Sequence, residues 1–110
     1  MDLLGCWHQM RNDMLDWYRD LAQGRRTYFL AEAARQAPAL SATEWVLSDG
    51  LPWGVARLDE WMARLLEAAG GLGCPPLVAY LEERHRAATQ QWLGLTQDLD
   101  AFRRLARGPR

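Results

Sequence analysis

The sequence predicts an all-α fold, a small bundle of about four helices with a long C-terminal helix, formed by residues 1–110 as one domain. Apolar residues recur every three or four positions along almost the whole chain, which is the period of an amphipathic helix. Glycine and proline cluster at a few points between these stretches, where they favour helix ends and turns. A hydrophobic fraction of 49% and a charged fraction of 25% are typical of a globular chain that forms one core.

The first helix is predicted by a continuous apolar stripe that ends before Gly24. Its members are spaced alternately four and three residues apart, and three aspartates lie on the opposite side. Thr27 then either caps a second helix, "YFLAEAARQ", or lies inside a continuation of the first helix across Gly24. The stripe consists of Leu3, Trp7, Met10, Met14, Trp17 and Leu21.

The stretch "LSATEW" carries the clearest local signal, a capping box formed by Ser41 and Glu44. Leu40 and Trp45 occupy the flanking hydrophobic-staple positions. We expect this helix to be short and to end near "SDG", residues 48–50. Pro52 suits the first turn of the next helix, which ends at Gly70–Gly71. The apolar face of that helix comprises Val55, Leu58, Trp61, Met62, Leu65, Leu66 and Ala69.

The last helix is predicted to be longer than the bundle it belongs to. An unbroken helix from residue 76 to 107 would be about 48 Å long, whereas a globule of this chain length has a radius of gyration of about 13 Å. We therefore expect one end to overhang and to leave part of its apolar stripe uncovered. The alternative is a kink at Gly94 that folds the end back onto the bundle. The stripe consists of Leu81, His85, Ala88, Trp92, Leu95, Leu99, Phe102 and Ala106.

The six tryptophans divide into core and contact residues. Trp7, Trp17 and Trp61 lie on core-facing stripes, and Trp45 has its staple role. Trp53 and Trp92 are the candidates for binding. Trp53 lies at the start of a helix, and Trp92 lies where the apolar stripe of the last helix is expected to extend beyond the bundle. The predicted partner-binding or dimer surface therefore consists of Trp53, Trp92, Leu95, Leu99 and Phe102.

No catalytic, cofactor-binding or metal-ligating set is predicted. Glu82 and His85 have the spacing of a di-iron motif, but that site needs a second such pair and two more glutamates. Cys6, His8 and Cys74 lack the spacing of a zinc site. The serines have no glycine elbow, and "GGLG" lacks the lysine of a phosphate-binding loop. We therefore expect the chain not to be an enzyme.

The net charge of −1 argues against a duplex-binding protein. Residues 42–48, the glycine turn and the helix from residue 52 imitate a helix-turn-helix, but its second helix begins with one arginine against two acids. Residues 101–110 hold four arginines and no acidic residue, which suits a helix C-terminus or an acidic partner. The "MDLLGC" start lacks the regions that precede a lipoprotein cysteine, and no apolar run is long enough for a membrane span. We expect a cytoplasmic protein.

These features favour a protein that binds the helices of other proteins, as a homodimer, as a regulator that masks an assembly surface, or as a small chaperone. The helices "CWHQMRNDMLDWYRDL" and "LPWGVARLDEWMARLL" resemble those of small all-helical quorum-sensing antiactivators of the QslA type. The resemblance implies a dimer that binds the ligand-binding domain of a LuxR-type transcription activator, blocks its dimerisation and keeps it off DNA. The alternative is a secretion-type chaperone or structural adaptor that binds a partner helix.

Overall fold

A computed structural model describes residues 2–106, except for the side chains of Arg103 and Ala106. Every regular element in this range is helical, which confirms the all-α bundle with a long C-terminal helix. A five-residue π turn, Val46–Gly50, joins the fourth and fifth helices. The helices are α1 (Leu3–Leu15), α2 (Trp17–Ala22), α3 (Tyr28–Gln36), α4 (Ala42–Trp45), α5 (Leu51–Gly71) and α6 (Pro75–Ala106).

The first predicted helix is divided into α1 and α2 by a distortion at Asp16. This residue has φ −98° and ψ 10°, although hydrogen bonds from Asp16 N to Asn12 O and from Asp20 N to Asp16 O continue across it. Aspartate is a weak helix former, so a bend at this position costs little. α2 ends at Ala22, just before Gly24, which has a φ of +69°, and Thr27 caps a separate α3. The alternative of a helix that continues across Gly24 is therefore wrong.

The predicted break between residues 48 and 52 is wrong, because the chain is helical from Ala42 to Gly71. Ser41 caps α4 as expected, since its Oγ accepts a hydrogen bond of 3.1 Å from Glu44 N. Gly50 has helical torsions, φ −66° and ψ −46°, and the Leu51 N–H bonds to Val46 O in the π pattern. The wider turn accommodates Pro52, which has no N–H to continue an α-helical ladder. The segment from residue 42 onward that was compared with a helix-turn-helix is therefore one continuous helical stretch.

The long last helix is confirmed, and it runs through Gly94 without interruption. The molecule measures 56 × 31 × 21 Å and has a radius of gyration of 16.1 Å, above the ~13 Å of a sphere-like globule. Leu95 is 41% exposed and Phe102 65% exposed, so the end of α6 is not folded back onto the bundle. The overhang is therefore correct, and the kink is not.

The core lies where α1, α3, α4, the π turn, α5 and the first part of α6 meet. Trp7 is fully buried, as predicted, whereas Trp17 and Trp61 are only partly buried against the core. Trp45 is a central core residue, 1% exposed, with its ring centroid 5.3 Å from that of Phe29. The largest fully buried side chains are Trp7, Trp45, Phe29, Met10, Met14, Met62 and Val46.

Candidate protein-interaction groove

An apolar groove separates the first half of α5 from the second half of α6, and we call it the α5–α6 groove. Its volume is about 550 Å³, within the range of concave binding sites in proteins. Five polar residues share its lining, namely Ser48, Asp59, Thr89, Thr96 and Asp100. The apolar lining consists of Leu47, Leu51, Pro52, Val55, Ala56, Trp92, Leu93, Leu95 and Leu99.

The groove exists because α6 is longer than the helix beside it. His85 Nε2 lies 2.9 Å from Asp59 Oδ1, and this contact sets the register of the antiparallel pair. Counting in opposite directions from the contact places Leu51, the first residue of α5, beside Leu93. Beyond Trp92, therefore, α6 extends past the start of α5 and lies near the π turn and the α1–α2 bend.

A smaller depression, with a volume of about 290 Å³, lies on the other side of α6. It is lined by Met14, Leu15 and Trp17 from the α1–α2 bend, and by Asp98. Leu47, Leu51, Leu95 and Leu99 line both this depression and the α5–α6 groove. Leu95 and Leu99 thus lie between two adjoining apolar hollows, and no residue between 2 and 106 fills either of them.

The structure brings together three of the five predicted interface residues, Trp92, Leu95 and Leu99, in the groove. The expectation that Trp92 is uncovered is wrong, because its side chain is buried and only 6% of the residue is exposed. Trp92 forms part of the groove wall, close to the point where α6 stops packing against the bundle. Phe102 lies further along α6, beyond the residues that line the groove.

Trp53 lies apart from the groove, in an aromatic patch between α3 and α5. Its ring contacts Tyr28 at 6.2 Å and Trp45 at 5.9 Å, measured between centroids. The Arg57 guanidinium lies over both Trp53 and Trp61, at 5.7 and 5.9 Å. A hydrogen bond with Tyr28, and secondarily the nearby Glu60, raise the pKa of Arg57 above its usual value. Trp53 therefore has a structural role on α5, and the predicted surface divides into two regions.

Sequence reasoning missed the half of the groove that comes from the π turn and α5. Leu47, Leu51 and Val55 are four residues apart and share one helix face when the helix is continuous. The predicted break at residues 48–50 concealed that spacing. Ser48 reinforces the π turn, because its hydroxyl donates a hydrogen bond of 2.8 Å to Glu44 O.

The ionisable residues that line the groove are both acidic, Asp59 and Asp100. The Asp59 carboxylate is engaged with His85, on the side of the groove nearest the α5–α6 turn. A basic ligand would therefore meet complementary charge at the groove's edges and apolar surface between them.

The described part of the chain offers no arrangement for metal chemistry: residues 2–106 contain no cluster of three or more His, Cys, Asp or Glu side chains able to hold an ion. Cys6 is half-buried and Cys74 exposed, and both are free thiols. Of the described helices, none combines the length and apolar character that crossing a bilayer requires. The α5–α6 groove can therefore bury apolar side chains of a ligand, with two acidic residues in its lining.

Comparison with known proteins finds no match for this chain among family models, curated proteins or solved structures.

Proposed function

We propose that this chain is a small regulatory protein that binds an apolar helix of another protein in the α5–α6 groove. The observation that carries the proposal is the pair of adjoining hollows on either side of Leu95 and Leu99. Contiguous exposed apolar surface of this kind marks binding sites, and a groove between helices suits an amphipathic helix.

The specific role that we propose is that of an antiactivator of quorum sensing. The Trp-rich helices that resemble QslA-type proteins support this role, because they now correspond to α1–α2 and to the first part of α5. The partner would be a LuxR-type activator, whose dimerisation surface would occupy the groove and so become unavailable for assembly on DNA. Such a role requires a protein that acts in the cytoplasm.

The test is affinity capture from the native cell with three forms of the chain. The groove variant Val55→Glu places a charge in the apolar lining, and Leu72→Glu places the same charge at a 75% exposed position after α5. We expect the native chain and Leu72→Glu to capture a LuxR-type regulator, and Val55→Glu to lose it while keeping its helical circular dichroism.

Two outcomes contradict the proposal in different ways. A captured secreted or structural protein, lost with Val55→Glu, would contradict the antiactivator role and favour the chaperone or adaptor. Equal capture by a folded Val55→Glu variant would contradict the groove as the binding site.

A further inference from the structure

The α5–α6 groove and the smaller depression beside it carry charge of one sign. Asp59 lines the groove and Asp98 lines the depression, and no arginine, lysine or histidine among the described residues lines either hollow. Asp98 is exposed, and the side chain of Asp59 is 57% exposed even though its Oδ1 lies 2.9 Å from His85 Nε2. A ligand that fills these hollows therefore meets carboxylate groups beside apolar surface.

The two aspartates lie far apart along α6. Asp59 is level with His85 through their contact, and Asp98 comes 13 residues after His85 in the same helix. That length of α-helix rises about 20 Å. The apolar linings of the groove and the depression lie between these two levels, so the surface has an acid near each end and leucines in the middle.

The middle of the surface has a shape that a second helix can pack against. Leu95 and Leu99 are four residues apart, so they form an i, i+4 ridge on α6, with the groove on one side and the depression on the other. Such a ridge fits between two rows of side chains on another helix, which then crosses at about 50°. Leu95 is 41% exposed, so the ridge is open to a ligand.

We propose that the occupant of the α5–α6 groove is a basic amphipathic helix that lies obliquely across the end of α6. Its apolar residues, at positions i, i+3, i+4 and i+7, cover Leu95 and Leu99 and enter both hollows. One lysine or arginine meets Asp59, and another, about four turns along the same helix, meets Asp98. This inference rests on the proposed function and specifies the chemistry of the partner.

The charge of the two hollows distinguishes this occupant from other apolar helices. An acidic helix would bring carboxylates against Asp59 and Asp98, and like charges across an interface cost affinity. A basic helix gains attraction at both ends, and the same attraction speeds its association. Because these carboxylates are exposed, the gain is screened by salt.

The test is the binding of two labelled synthetic peptides to the purified chain, followed by fluorescence anisotropy. Both peptides form helices of about five turns with leucine at positions i, i+3, i+4 and i+7, and their polar faces carry lysine in one and glutamate in the other. We expect the lysine peptide to bind at least about tenfold more tightly, with an advantage that shrinks as salt is added. Equal affinities, tighter binding of the glutamate peptide or no binding of either peptide would overturn the proposal.

Charge reversal tests where the helix lies. Asp98→Lys should weaken binding of the lysine peptide about fivefold, because one attraction becomes a repulsion. Glu67→Lys makes the same change at an exposed position of α5 outside both hollows, and should bind like the native chain. Both variants should keep their helical circular dichroism, since both positions are exposed. Equal binding by the two variants would contradict the proposed position.

Capture from the native cell separates this inference from the proposed function. A regulator that is lost with Val55→Glu but kept in full by Asp98→Lys would contradict the basic helix and leave the groove as the binding site. A regulator that is kept by a folded Val55→Glu variant would overturn the proposed function, and this inference with it.

Discussion

Trp92 and Trp7 both bury their indole rings, and neither Nε1–H donates to an acceptor among the residues that the structure describes. A buried donor without a partner costs about 1–3 kcal/mol, and burying an aromatic ring of this size contributes comparably in the opposite direction. At Trp92 the burial of the ring therefore offsets the cost of the unpaired Nε1–H in the free energy of folding. The ring fills the space where α5 and α6 begin to separate, and it closes the bundle below the groove.

Two buried acids in the first half of the chain differ in how their environment acts on them. Burial, more than the nearby Asp20 and Asp16, raises the pKa of Asp13 above its usual 3.8, although Gln9 donates a hydrogen bond to it. The hydrogen bond from Arg35, 2.8 Å from Nε to Oε2, is the main cause that holds the pKa of Glu32 below its usual 4.5. The two carboxyl groups therefore affect stability with opposite signs.

We expect Asp13→Asn to raise the free energy of unfolding at pH 7. A folded-state pKa above 3.8 means that the stabilising contribution of Asp13 is fully present below pH 3.8 and is lost as the pH rises through the raised value. Asparagine removes the cost of a buried charge and keeps an oxygen for Gln9. Urea unfolding at several pH values measures the effect, and the difference from the native chain should vanish in acid.

Glu32→Gln is the matched control, with the opposite sign. The lowered pKa of Glu32 stabilises the fold above pH 4.5, and this contribution is lost as the pH falls through the lowered value. Glutamine should therefore destabilise the protein at pH 7 and have little effect in acid. If Asp13→Asn and Glu32→Gln shift stability in the same direction at pH 7, the assignment of the two environments is incorrect.

At the scale of the elements, the π turn determines the half of the groove that precedes α5. It keeps Leu47, Leu51 and Val55 on one continuous face, and it brings Gly50 against the ring of Trp45. A Cβ atom at Gly50 would lie 2.7 Å from Trp45 Cε3, closer than side chains approach one another. Glycine is required here for close packing, since its φ of −66° is open to any residue.

Gly50→Ala and Gly94→Ala should therefore change stability in opposite directions. Alanine in a helix is favoured over glycine by about 0.5–1 kcal/mol, and overpacking a core costs about 1–3 kcal/mol. The first effect alone applies at Gly94, where no described atom beyond the adjoining helix backbone lies within 4 Å of an added Cβ. We expect net destabilisation at Gly50 and stabilisation at Gly94, measured by urea unfolding with unchanged m values. A Gly50→Ala variant as stable as Gly94→Ala would contradict the packing of the π turn.

The sequence predicts those elements whose signals are local. The sequence predicts Ser41 as a cap and Thr27 as a cap in one of two alternatives, and both signals are local because the hydrogen bonds reach only three residues along the chain. The π turn was not predicted, since "SDG" followed by Pro52 is also typical of a break, and the choice depends on packing around Trp45. The burial of Trp92 was missed for a similar reason: it depends on the register between α5 and α6, which no local pattern specifies.

At the scale of the whole molecule, one long helix accounts for both the shape and the candidate site. The longest dimension is 56 Å, to which α6 contributes about 48 Å at 1.5 Å per residue. The bundle covers α6 as far as Trp92 and leaves the rest bordered by two hollows. The predicted overhang was correct because it followed from length alone. Arg107 and Arg110, part of the predicted basic end, lie outside the described residues.

The central claim is that the α5–α6 groove is where another protein chain binds. Photo-crosslinking in the native cell tests it most directly, with a photoreactive amino acid placed at Val55 in the groove or at Leu72 outside it. We expect Val55 to yield a discrete adduct with a second protein, whose mass distinguishes a regulator from a second copy of this chain, and Leu72 to yield none. Adducts at Leu72 but not at Val55 would contradict the account.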